Sequence, residues 1–293
     1  MVLRHLLQSW IQTTAGRKIR ETVVQAAREQ VEAQLHAAQQ SCDAPDDAPP
    51  VPCELGLVFA LEIEAGCLAD LLQDVVATRG NGFLVRQGTL QGRRVALVLS
   101  GPGREAAAQA TEALLAGHQP QWVISAGLAG GLSPELRRQD ILMADQLVDA
   151  AGNQRSIDLK VDPAALAATP GVHVGRLLTA DRIVRLPEEK LALGRQHGAL
   201  AVDMETFAVA EVCRRSQVRF LAVRVIHDAV DECLPPDVEN LLAQKTTAAR
   251  LGAAVGAVWR RPSSFKDMYQ LKENALLCSL RLAKFLAGMV DGL

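Results

Sequence analysis

AVDMETFAVAEV, residues 201–212, decides the fold, because an apolar strand-like run turns into a helical one across two acids. GALAVDM (198–204) carries the strand pattern, and residues 205–216 carry the helix pattern. Charge at the end of a buried element has two readings. Asp203 or Glu205 caps the next helix and favours its positive end, or one of them holds a substrate.

The same strand-then-helix unit recurs outward from this stretch. LGLVFA (55–60) reads as a buried strand followed by a helix over 64–75. FLVRQGTL and RRVALVLS read as a ribbon joined through Gln91 and Gly92, and 104–117 as a helix with Gly117 as its C-cap. QWVISAG (121–127), DILMADQLV (140–148), VHVGRLLTA (172–180) and VRFLAVRVI (218–226) complete the strands, with a further helix at 187–195. Such alternation predicts an α/β fold with a central mixed, twisted sheet flanked by helices.

Four segments separate by composition. Residues 1–40 lack proline and place Leu3, Leu7, Trp10, Ile11, Ile19, Val23 and Val31 at helical spacing, which predicts a helical N-terminal extension. Residues 41–53 contain CDAPDDAPPVP and read as a linker. The α/β domain is expected over 54–235. A helical C-terminal extension over 236–293, with stretches at about 237–259 and 264–290, is expected to pack on the same domain.

Composition excludes several partners. A net charge of −2 gives no global attraction for nucleic acid or an anionic membrane. The six cysteines form no CxxC pair, so neither a zinc site nor a disulfide framework is expected. No apolar run reaches the roughly 18 residues that span a bilayer. His5, Gln8 and Ser9 interrupt the first apolar stretch, so a cytoplasmic protein without a secretory signal is expected.

In sheets of this kind ligands collect at the carboxyl ends of strands. Here those ends deliver ALEIEAG, SGPGRE, SAGLAGGL, TADRIV, VDMETF and IHDAVDE. Glu64 has the plain alternative of a first-turn helix acid, and His227 that of an ordinary turn histidine. The glycines of SAGLAGGL serve a corner or a close approach to a flat ligand. GxG at 101–103 lacks the third glycine of a dinucleotide fingerprint, so no nicotinamide cofactor is expected. No metal or organic cofactor is expected.

Read in order, ALEIEAGCL, SGPGREAA, SAGLAGGL, TADRIV, VDMETFAVAEVC and VRVIHDAVD resemble the nucleoside phosphorylase and nucleosidase superfamily over residues 54–232, in particular its methylthioadenosine/S-adenosylhomocysteine nucleosidases. The resemblance implies a three-layer nucleoside-phosphorylase fold, a homodimer and cleavage of the N-glycosidic bond of an adenine nucleoside. By the same resemblance Asp228 is the acid that protonates the purine, with a carboxyl raised by partial burial, and Glu64 activates the attacking water. Glu205 grips the ribose hydroxyls and Met204 packs on the sugar. Gly101, Ala129 and Gly130 line the ribose and base.

Three departures from the family stand out. His227 replaces a usual serine, Ile183 and Val184 stand where a stacking phenylalanine is common, and the stretch from Val148 to Val172 is short. WRRPSS and the following helix are similar to the tail of hopanoid-associated phosphorylases, which implies a phosphorolytic alternative on an adenosylated lipid, or contact with a membrane surface. A catalytically silent nucleoside-binding protein is the alternative of another class. Ser125 and Leu128 stand where a phosphorylase pattern has Arg and Ser, and the carboxylate of Glu64 suits water better than phosphate.

Overall fold

A computed structural model of the protein describes residues 52–80, 83–159, 164, 166, 168–236, 238 and 264–290. The expected N-terminal helices, nearly all of the linker, the helical stretch 237–259 apart from Val238, and the WRRP segment lie outside the described residues. By its internal contacts the chain divides into Met1–Ala48 and Pro49–Leu293, and the fold below belongs to the second unit.

Strand β1 (Leu55–Phe59) is buried along its whole length. It pairs in parallel with β4 (Arg93–Leu99) and β5 (Trp122–Gly131). Burial on both faces explains its unbroken apolar run. On one face Leu55, Leu57 and Phe59 pack with α1 (Glu62–Ala69) and α5 (Ser264–Val290). On the other, Val58 joins Ala107, Ala110 and Leu114 of α2 (Arg104–His118) and Val209 and Cys213 of α4 (Thr206–Arg215). The expected helices on both faces of a mixed sheet are therefore present.

The remaining strands are β2 (Gln73–Gly80), β3 (Phe83–Leu90), β6 (Ile141–Asp149), β7 (Gln154–Ser156), β8 (Val172–Thr179), β9 (Ala201–Asp203) and β10 (Arg219–Asp228). Helix α3 spans Pro187–His197. The strand path runs β10-β6-β8-β9-β5-β1-β4-β3-β2, and β10 also pairs with β5. Strands β5, β10, β6, β8 and β9 thus close into a ring beside the open half of the sheet. The ring directs the ends of β5, β9 and β10 toward one place.

Three local expectations need correction. The helix expected over 64–75 ends at Ala69, and Gln73–Gly80 forms strand β2 on the outer side of β3. The β-branched Val75, Val76 and Thr78 favour the strand once the helix has stopped. Gly88 of β3 permits the pairing, since a Cβ there would stand 2.8 Å from the Gln73 carbonyl. Gly117 lies inside α2, and Gln119 supplies the left-handed cap with φ 41° before Pro120. The SAGLAGG segment is no corner: β5 stays extended and paired through Gly131.

Helix α5 packs on α1 and β10. Its Ser279 hydroxyl donates to the Glu64 carbonyl at 3.0 Å. Among the described residues no helix is long and apolar enough to cross a membrane. Cys53, Cys213 and Cys278 are free and buried, and burial pushes their thiols up to about 11, 12 and 11.

Candidate active site

Glu64 lies in the first turn of α1, and its carboxylate turns back on the chain. Oε2 accepts from the amides of Ala60 (3.0 Å) and Leu61 (2.9 Å), while Oε1 accepts from Leu128 of β5 (2.9 Å). The plain reading of Glu64 as a helix-capping acid therefore holds, but the same group also faces a cavity. Gly127 makes this possible, because a Cβ there would stand 3.0 Å from the Glu64 carboxylate. Burial pushes the Glu64 carboxyl up from the ordinary glutamate range, against the opposing pull of the three amides and Arg224.

Glu205 and Asp203 have separate work. Glu205 accepts from the Gly103 amide at 2.6 Å, which the positive φ of Gly103 (99°) turns toward it. Burial, then the neighbouring charges of Asp203 and Glu64, push its carboxyl up to about 8. Asp203 is buried in a polar knot instead. It accepts from Thr179 Oγ1 (2.7 Å), the Thr206 amide (2.9 Å), the Thr206 hydroxyl and Arg224 Nε (3.1 Å). It holds the turn into α4 and the position of Arg224.

Asp228 ends β10 and is 4% exposed. Its Oδ2 accepts from the buried Lys190 ammonium at 2.5 Å, and His227 Nδ1 lies 3.2 Å from Oδ1. The departure at His227 thus places an imidazole directly on the acid. Gly130 again supplies the room, since a Cβ there would meet Asp228 Oδ2 at 3.3 Å. The glycines of SAGLAGGL therefore admit two carboxylates beside the β5 backbone.

A cavity of about 400 Å³ brings together Glu64, Glu205, Asp228, Met204, Ala129, Gly130, Ile183, Val184 and His227. Gly101 does not reach it; Pro102 lines it, while Gly101 forms the turn with φ 81° and donates to the Ala60 carbonyl. Leu271 and Ala275 of α5 add apolar wall.

A second, polar cavity of about 10 Å³ shares Glu64 and Glu205 with the first and is also lined by Ser100, Ser125 and Arg224. That is about the room one water requires. Arg224 was missed by motif reading, although a charge inside the apolar run VRFLAVRVI signals a buried partner. Its Nη2 lies within hydrogen-bond distance of Asp203 Oδ2 (2.7 Å), Ser125 Oγ (2.8 Å) and Thr206 Oγ1 (2.6 Å). Lys190 was missed because EEKLALGRQH reads as a solvated helix.

The 5'-methylthioadenosine/S-adenosylhomocysteine nucleosidase of Haemophilus influenzae is 31% identical over 225 residues, covering 68% of this chain and 97% of that protein. The enzyme of the same name from Haemophilus ducreyi is 31% identical over 211 residues, covering 64% of this chain and 90% of that protein. A crystal structure of a Helicobacter pylori nucleosidase mutant with 5'-methylthioadenosine in its active site shares the fold, with a TM-score of 0.62 at 21% identity, covering 83% of this chain and all of that one. The futalosine hydrolase of Helicobacter pylori matches with a TM-score of 0.62 at 21% identity, covering 82% of this chain and 98% of that one. The profile of the phosphorylase superfamily matches residues 54–258, and the chain belongs to that superfamily.

Proposed function

We propose that the protein hydrolyses the N-glycosidic bond of an adenine nucleoside of the methylthioadenosine or S-adenosylhomocysteine type, releasing the purine. The observation that carries this reading is the water-sized cavity lined by the two carboxylates, Glu64 and Glu205, that also line the larger cavity. A phosphate ion does not fit a space that suits a single water. Arg224, the cation a phosphate would seek, already pairs with Asp203. These two observations favour water over phosphate as nucleophile, although Arg224, Ser125 and Ser100 are side chains that a phosphorolytic site would use.

In this reaction the purine leaves as the sugar acquires oxocarbenium character. Asp228 gives its proton to N7, so that the electron pair of the breaking bond is received by a neutral leaving group. Glu64 in its ionised form takes a proton from the water as the oxygen bonds to C1'. Its three amide hydrogen bonds fix the carboxylate for that step. Glu205, tied to the Gly103 amide, grips the ribose hydroxyls and Met204 packs on the sugar. Ile183 and Val184 border the base with aliphatic surface, and the apolar wall from α5 suits an apolar 5' substituent. Release of free adenine from methylthioadenosine by the folded protein tests the reading, and no release would sink it.

Glu205 also makes a stability prediction. Folded, it holds its proton up to about pH 8; unfolded, it ionises near 4.5. The unfolded state therefore binds fewer protons between those values, and this group's contribution to stability declines as pH rises through the window. Glu205→Gln keeps an acceptor for the Gly103 amide and removes the cost of ionisation. At pH 8.5 the variant should gain on the order of a few kcal/mol, roughly 5–10 °C in Tm, with no gain at pH 4.5. Thermal melts at both pH values check this, and a gain independent of pH would contradict it.

A further inference from the structure

Lys190 stands on α3, 38 positions before Asp228, yet its side chain is entirely buried. All three of its N–H groups have acceptors: Asp228 Oδ2 at 2.5 Å, the Ala229 carbonyl at 2.8 Å and the Glu232 carbonyl at 2.7 Å. Three donors matched to three acceptors describe an ammonium fully satisfied without water. Burying such a group is costly unless it is paired and bonded throughout. A lysine whose only task was to join α3 to the turn could have kept its head in solvent, as lysines usually do.

We propose that Lys190 is a positioning residue for the proton transfer to the purine, acting through Asp228. The proposal rests on Asp228 being the acid of the hydrolysis described above. In the free protein the Asp228 carboxylate pairs with Lys190, and in the reacting substrate complex Asp228 carries the proton. As that proton passes to N7, negative charge develops on the carboxylate, and the ammonium beside Oδ2 stabilises it. The interaction strengthens as the reaction proceeds, which is the condition for lowering a barrier. The two carbonyl contacts hold the Ala229–Glu232 turn, so the carboxylate cannot swing away from the base.

The surroundings of Asp228 leave Lys190 its main counter-charge. Among the described residues only Lys190 and His227 lie within ion-pair distance of it. Glu232, from the following turn, pairs with Arg138. From α5 the Cys278 thiol feels the charges of Asp228, Glu232 and Arg138. Glu64 and Glu205 face the same cavity.

The test is the pH profile of adenine release from methylthioadenosine for the wild type, Lys190→Met and Lys190→Gln. Removing the ammonium takes away the positive charge beside Oδ2. The alkaline limb of kcat should therefore move to higher pH. At the optimum kcat should fall about 10–100-fold, with KM within about threefold of wild type because the substrate contacts remain. A lower Tm with an unmoved alkaline limb would show a purely structural lysine and overturn the proposal. Failure of both variants to fold would assign Lys190 to the fold and also overturn it. A wild type that releases no adenine would sink the reaction itself, an outcome separable from an active wild type with unchanged variants.

Discussion

Asp228→Asn is expected to lower kcat for adenine release by about 10²–10⁴-fold, the range a positioned general acid contributes. The amide preserves the shape of the side chain and an acceptor for Lys190, but it has no proton of suitable acidity to give N7. The structure adds a second consequence that the strand-end motif alone does not reveal. Lys190 is buried against Asp228, so the substitution strands an ammonium without its counter-charge. Removing one partner of a buried pair costs about 3–5 kcal/mol, reduced here because two carbonyls still accept from Lys190. The variant should melt several degrees lower yet remain folded at 25 °C. Combining Asp228→Asn with Lys190→Met should recover part of the lost Tm while activity stays low. Wild-type turnover in Asp228→Asn would remove Asp228 from its proposed role.

Arg224→Met should be the most destabilising single change at the site. Arg224 and Asp203 are both almost fully buried, and the guanidinium also satisfies Ser125 and Thr206. Losing it leaves the Asp203 carboxylate with hydroxyl and amide donors but no cation. The expected cost is about 3–5 kcal/mol, a fall in Tm of roughly 10–15 °C for a domain of this size. Activity should fall as well, because Arg224 borders the small polar cavity between Glu64 and Glu205. A thermal melt within about 2 °C of wild type would show that the knot around Asp203 is not held by Arg224.

The acids of the site were legible because each stands where a strand ends. Glu64 and Glu205 follow β1 and β9, Asp228 closes β10, and the closed ring of strands brings the strand ends to one cavity. Sequence order alone could not show the pairing of β10 with β5 that closes the ring, since it joins segments almost a hundred residues apart. The cations were hidden for opposite reasons. Arg224 stands in a buried strand, where its charge should have prompted a search for Asp203. Lys190 stands in a helix so rich in charge that burial leaves no trace in the pattern.

The glycines show a different limit. Positions 127 and 130 were readable as places of close approach, but the approaching groups are carboxylates of Glu64 and Asp228. Helix α1 and strand β2 illustrate competition between local patterns. The helical spacing past Ala69 yields to Val75, Val76 and Thr78 once an edge of the sheet is open for pairing. Both cases turn on long-range contacts that no window of sequence contains.

Water as the nucleophile is supported by a space among Glu64, Glu205 and Arg224 that suits one water. The most direct measurement is adenine release from methylthioadenosine by the purified protein, in phosphate-free buffer and again with millimolar phosphate. The account predicts the same rate in both and a free sugar as the second product. Release only with phosphate, with a sugar 1-phosphate formed, would contradict it.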